Sequence, residues 1–533
     1  MSSIIGKRVN GRTYYYAADS ARVDGRPRIV AQRYLGTAED VEAALSRVAA
    51  EPEHTRHLPF GEVAAVWGVI RRLDLAGIVD EVVGRQRAAV SAGTCLALAV
   101  LHRATAGRAD PGRWWPEVSR LIRPEPPAQL WERGRFRRAM RRLGPVERGE
   151  VEARVSAAVR GQLGASGGLP ALIVDVPHLG APAVPDCGEL AGMSVLVSRD
   201  GAIPLLTQEH LRDRDDCAPY GVLAQRLAER YREHAGAGEI TVVYDAGTHP
   251  RPHPDTGLGF VGGLLPGDHP ELLAYPATAR RPVDQRRLPG LTALDTRIVM
   301  DGVSRRVILT HSETLHAAQA RGFTEALGQA ARRLDGLAEA LAAGGNRRSR
   351  DHVLAEISRI TRVRWVERVL VTVLHGSTPG ELRLHWHIDE TARRRVAAEF
   401  FGKQLLVTDR DSWRAADVIT AYRARYHLDS TFGRLSAPQA PERGDAERIA
   451  VHRMISVLAV AVLHLMRQEA TEAGLDLSVR ELFEQLAGIE ETVLRYPSTG
   501  GRPRTRRVIT DRTEVQQRLY DLFGLDRSAP GRR

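Results

Sequence analysis

Two short apolar runs end on a carboxylate: Leu169-Pro170-Ala171-Leu172-Ile173-Val174-Asp175 and Glu239-Ile240-Thr241-Val242-Val243-Tyr244-Asp245. A third acid, Asp429, lies far downstream within Tyr422-Arg423-Ala424-Arg425-Tyr426-His427-Leu428-Asp429. Two strand-end aspartates and a helical acid can gather oxygen ligands around Mg²⁺ or Mn²⁺, hard cations that take carboxylate and water oxygens. A pair of such ions clamps the attacking and leaving oxygens in phosphodiester chemistry. Arg133, Arg137 and Arg141 recur every fourth residue in Trp131–Leu143, which places them on one side of a helix where like charges repel. Phosphate neutralises such a row. Each feature also has a purely structural reading. An aspartate after an apolar strand caps turns and helices, Asp429 can pair with Arg425 one helical turn away, and an arginine row can be a solvated face.

These residues need several elements to position them. At 533 residues the chain exceeds one core and is expected to form several domains. Hydrophobic residues make up 43% and charged residues 26%, the balance of a folded globular protein. A net charge of +11 points to polyanionic partners, nucleic acid first. Cys95, Cys187 and Cys217 show no zinc spacing or disulfide framework, which suits a reducing cytoplasm. No apolar leader opens the chain, and polar residues interrupt the longest apolar run, Ile449 to Met466. The expected setting is therefore cytoplasmic and nucleoid-associated, without a membrane.

Residues 1–55 read as a basic β-hairpin around Asp24-Gly25, carrying Lys7, Arg8, Arg12, Arg28 and Arg33. Residues 56–165 read as a helical, arginine-rich DNA-binding domain. In residues 166–440 strands and helices alternate. The strand to Asp175 precedes a hairpin turning at Arg199-Asp200-Gly201, and a helix from Tyr220 to Glu233 leads to the strand ending at Asp245. That pattern is α/β, a mixed sheet with helices on its faces. Residues 250–400 read as an insertion with strands near 297–300, 307–310, 382–387 and 404–408 and a long helix from Glu313 to Ala343. Asp417 to Leu435 reads as a helix with Tyr422, Arg425, Asp429 and Phe432 on one face. Residues 441–533 read as helical to Ala487, ending in a basic, flexible tail, Gly500 to Arg507.

The Asp429 helix resembles the signature of one group of DDE-type transposases from bacterial insertion sequences. That signature runs Tyr, two residues, Arg, three residues, Glu, six residues, Lys; here the positions hold Tyr422, Arg425, Asp429 and Ser436. Tyr14-Tyr15-Tyr16, Arg33-Tyr34-Leu35-Gly36, Ser198-Arg199-Asp200-Gly201, Val243-Tyr244-Asp245, Leu405–Asp409 and Tyr496–Gly501 are similar to the same group and follow in the same order. The resemblance implies a ribonuclease-H-like mixed sheet with a β-containing insertion, preceded by a β-hairpin and a helical domain and followed by C-terminal helices. It implies Asp175, Asp245 and Asp429 as catalytic metal ligands holding two Mg²⁺ or Mn²⁺ ions. It implies Tyr422 and Arg425 as phosphate-contacting side chains, with Arg434 a substitute for the cation lost at Ser436. The implied partners are double-stranded DNA, at the terminal inverted repeats of a mobile element, and a second copy of the chain on paired ends.

The chain departs from the group's pattern at Val176-Pro177-His178, where threonines follow the first acid, at Asp429, one methylene shorter than Glu, and at Ser436. Three functions therefore follow: a transposase that cleaves and joins DNA, a transposase-derived DNA-binding protein that has lost catalytic activity, and a metal-dependent nuclease without strand transfer.

Overall fold

The structure is a computed structural model. It describes residues 2–23, 26–42, 51–84, 90–106, 110–123, 125–127, 133–164, 169–176, 189–212, 220–236, 238–245, 257–300, 302–343, 347–435, 446–497 and 504–530. The fold is mixed α/β with a large mixed sheet and many helices. The chain divides into two compact units that draw together segments distant in sequence. The first is Met1–Gly68 with Asp110–Pro126 and Arg480–Arg533; the second is Val69–Ala109 with Pro127–Val479.

In the first unit the expected hairpin is a three-stranded antiparallel sheet, β1 (Ser2–Val9), β2 (Arg12–Val23) and β3 (Arg26–Thr37). The additional strand follows from Asn10-Gly11, whose φ values of 48° and 81° are both positive. A two-residue hairpin turn of that hand requires this, and Asn-Gly supplies it at low cost. The Asp24-Gly25 turn itself lies outside the described residues. β4 (His54–Pro59) opens the region expected to be helical.

In the second unit one sheet carries nine strands. They are β5 (Ala171–Val176), β6 (Glu189–Ser198), β7 (Pro204–Arg212), β8 (Ile240–Tyr244), β9 (Gly259–Leu264), β10 (Arg281–Pro282), β11 (Leu291–Met300), β12 (Val303–Ser312) and, after the two-stranded ribbon β13 (Leu370–His375) and β14 (Arg383–Ile388), β15 (Lys403–Thr408). Their order is β10-β11-β12-β15-β9-β8-β5-β6-β7. β5, β8 and β9 are parallel; every other neighbouring pair is antiparallel. The apolar runs of β5 and β8 are buried throughout their described positions, as parallel strands covered on both faces must be. Within the segment 250–400, β9, β10, β11 and β12 are strands of this same sheet, as is β15 just beyond it, and the ribbon β13–β14 packs against the helix Glu313–Ala342. β9 is the central strand that the sequence conceals, because Gly262-Gly263 interrupts its apolar pattern.

The helix Ala415–Leu435 lies on β5, β8, β9 and β15. The helix Ala446–Glu472 is, among the described residues, the one long and apolar enough to cross a membrane, and 72% of its most apolar stretch is buried in the protein.

The C-terminal region returns to the first unit and is not helical to its end. β16 (Glu490–Tyr496) pairs with both β4 and β17 (Arg504–Ile509). Arg504 to Arg507, expected in a flexible tail, are a paired strand. Glu491, only 2% exposed in β16, pairs with Arg507 at 3.1 Å and with Arg120, which also donates to the Pro59 carbonyl. Trp114 and Trp115 are buried core residues here.

Candidate functional site

β5 and β8 run side by side and end at the same edge of the sheet. Val174 is level with Val243, so Asp175 lies one position further along β5, and Asp245 follows the last residue of β8. In open α/β sheets ligands bind outside the carboxyl ends of parallel strands. The backbone of Asp175 pairs with Ser194; its side chain lies outside the described residues. Asp175 thus belongs to its strand, where the sequence reading ends the strand upon it.

The helix Ala415–Leu435 brings the remaining residues to this edge. Tyr422 is 5% exposed, and its hydroxyl donates to Asp245 Oδ1 at 3.0 Å. Arg425 Nη1 lies 2.6 Å from Asp245 Oδ2, and Arg425 Nε lies 3.7 Å from Asp429 Oδ2. One guanidinium therefore holds both acids. Neither of these nitrogens has an aligned hydrogen-bond partner, so the contacts are ion pairs rather than a forked hydrogen bond. Burial opposes the charge on Arg425, but Asp245 and Asp429 together outweigh it and raise its pKa. Burial also raises the Tyr422 hydroxyl far above its ordinary range, with Tyr426 and Asp245 adding to it, so Tyr422 stays a donor.

Two adjacent glycines of β9 admit rings on opposite faces of the sheet, and the one at Gly263 makes room for Tyr422. A side chain at Gly263 would strike the Tyr422 phenol, and one at Gly262 would strike the Tyr244 ring. Gly262-Gly263 was the available signal in sequence: paired glycines inside an apolar run mark a close approach by another group. Asp409, within the Leu405–Asp409 motif, accepts the Phe260 amide at 2.8 Å. Because β15 runs antiparallel to β9, Asp409 lies at the sheet edge opposite Asp245 and pins the start of β9.

The far end of the same helix is fixed by His464. This fully buried side chain places Nδ1 3.0 Å from the Gly201 carbonyl and Nε2 3.0 Å from Thr431 Oγ1. A neutral ring with its proton on Nδ1 donates to Gly201 and accepts at Nε2. Burial, reinforced by the Arg467 cation, pushes its pKa down to about 3. Arg103 Nη1 donates to the Leu435 carbonyl and caps the helix. The sequence shows His464 as an interruption of an apolar run, which does not reveal its partners 33 and 263 positions away.

Of the expected nucleic-acid residues, Tyr422 and Arg425 face Asp245. Arg434 is exposed in the last turn, nine positions from Arg425 and hence on the opposite side of the helix. The helix expected through Leu143 spans Arg133–Met140 and then tightens into a turn, so Arg141 lies beyond it and is exposed. The side chains of Arg133 and Arg137 lie outside the described residues. Among the described residues, no group of three or more His, Cys, Asp or Glu is gathered to hold a metal.

No family model matches the chain, and no curated protein matches it. Among solved structures it is similar to a piggyBac transposase in a cryo-EM synaptic complex with hairpin DNA, at 8% identity over 81% of this chain and 82% of that chain, with a TM-score of 0.30.

Proposed function

We propose that the chain is a metal-dependent DNA-cleaving and strand-joining enzyme of the DDE transposase type, acting through Asp175, Asp245 and Asp429. The observation that carries this reading is the meeting of Asp245 and Asp429 on Arg425, beside the strand end where Asp175 lies. The sheet supports it too. A three-strand antiparallel meander, a helix, and two parallel strands on the far side of the first strand is the arrangement we assign to the ribonuclease-H-like class.

The donor set is chemically consistent with Mg²⁺ or Mn²⁺: carboxylate oxygens, without thiols or imidazoles. Asp245 and Asp429, each about one-third exposed, are the described members of that set, and Asp175 is the third. When bound, two such ions would make water and then a DNA 3′-hydroxyl nucleophilic. The chain's own residues do the positioning. Tyr422 fixes the orientation of the Asp245 carboxylate, and Arg425 balances the charge of both acids. The DNA partner is a double-stranded end bearing the element's terminal inverted repeat, and the working form is a homodimer on paired ends.

A second reading, a transposase-derived DNA-binding protein without chemistry, is favoured by one contact. Arg425 lies within 2.6 Å of Asp245, so the acid already has an internal counter-charge. Mg²⁺-dependent nicking of duplex oligonucleotides copied from the DNA flanking the gene separates the readings. Cleavage by the parent that is lost in Asp245→Ala supports the enzyme. Equal DNA binding by both proteins, with no cleavage by either, sinks it in favour of the binding protein. Cleavage without joining of the ends reduces it to a nuclease.

A further inference from the structure

The three-stranded sheet β1–β3 presents aromatic rings where a polar surface would be cheaper. Tyr34 is 57% exposed on β3. Its ring centroid lies 5.4 Å from Tyr16 and 6.1 Å from Tyr14, both on β2. The register explains the cluster. Tyr16 is directly opposite Tyr34, Tyr14 is opposite Lys7 of β1, and Tyr14 and Tyr16 share a face because side chains alternate along a strand. Lys7 Nζ lies 5.2 Å from the Tyr16 ring centroid and donates to Gln32 Oε1 at 2.9 Å. A lysine held over the Tyr16 ring and opposite Tyr14 in the strand register is a cation placed at the edge of a stacking surface. The nearby acid, Asp40, accepts from the Thr37 amide at 2.8 Å and from its hydroxyl at 3.0 Å, so it is occupied with its own helix start.

We propose that this face is a stacking platform for the unpaired bases of a nucleic-acid strand, with Tyr34, Tyr16 and Tyr14 beneath the bases and Lys7 beside the phosphates. Charge selects the polyanion: residues 1–37 hold seven Lys or Arg against two Asp. The rings select unpaired bases. Duplex DNA buries its base faces at ~3.4 Å per step, so only splayed bases can lie on rings 5.4 and 6.1 Å apart. Stacking on aromatic side chains tolerates any sequence because every base has a π-face. This surface belongs to the first compact unit and uses none of the carboxylates of the second.

The test is fluorescence anisotropy of the full chain with a labelled oligothymidine and with a duplex of equal length, in EDTA. Tyr34→Ala is expected to weaken single-strand binding roughly 5- to 100-fold and to leave duplex binding within about twofold. Tyr34→Phe keeps the ring and should bind as the parent does. Lys7→Gln should reduce the dependence of log affinity on log salt by about one. Because Tyr34 is largely exposed, its variants should melt with the parent. Parent-like single-strand affinity in Tyr34→Ala overturns the proposal, as does an equal loss on duplex and single strand; either result makes the face a surface for another partner, such as a peptide. Binding is read in EDTA, where no metal-dependent cleavage runs, and the variants lie in the first unit, so this test and the cleavage test fail independently.

Discussion

Replacing Arg425 with glutamine isolates the feature on which the candidate site depends. In the parent, unit charges 2.6 and 3.7 Å apart attract by ~6 and ~4.5 kcal/mol at an effective dielectric constant of ~20. Those are gross energies. Arg425 is only 12% exposed and loses hydration on burial, while Asp245 and Asp429 remain 35% and 33% exposed and are screened by water. Desolvation and screening reduce the measurable loss to ~2–4 kcal/mol. For a unit of this size that lowers the melting temperature by about 2–5 °C. Calorimetry at pH 7.5 and near pH 4 distinguishes charge from packing. If the loss arises from two carboxylates left without their cation, it shrinks as pH falls toward the ordinary aspartate range. Mg²⁺ should also restore part of the variant's stability by replacing the missing positive charge, and should do less for the parent. A variant that melts with the parent at pH 7.5, or whose deficit is the same at both pH values, refutes the shared-arginine account.

Three further outcomes follow from single contacts. Tyr422→Phe removes one hydrogen bond to Asp245 without changing the ring, and should cost about 1 kcal/mol by calorimetry. His464 has a folded pKa below its unfolded value, so the unfolded chain binds the additional proton. Its contribution is present above about pH 6.5 and is lost at about 1.4 kcal/mol per pH unit on the way toward 3; His464→Gln should flatten the acid limb of a stability-versus-pH curve. Glu62 behaves oppositely: burial pushes its pKa up to about 7, so stability falls as pH rises from about 4.5 to 7, and Glu62→Gln should stabilise the chain at pH 8 but not at pH 4.

Much of the scaffold was legible because local chemistry and global placement agree. The apolar runs before Asp175 and Asp245 are strands, the run from Ala415 to Leu435 is a helix, and the face shared by Tyr422, Arg425 and Asp429 follows from helical periodicity alone. Asn10-Gly11 is equally readable as a turn, and it is what adds β1 to the hairpin. β9 and β17 were harder. Gly262-Gly263 weakens the strand pattern for a reason visible only when Tyr244 and Tyr422 occupy the space over its two faces. The arginines of β17 look like a solvated tail until Glu491 appears opposite them.

By itself, then, the sequence determined which segments are strands and helices around the acids and where the basic charge is concentrated, since those properties depend on residues a few positions apart. Only the tertiary structure decided that Asp245 and Asp429 share one arginine, that His464 ties Thr431 to a hairpin turn, and that the insertion's strands continue the main sheet. Those facts depend on distances across the sheet between residues up to 263 positions apart, and local periodicity holds no information about which distant partner a side chain will meet.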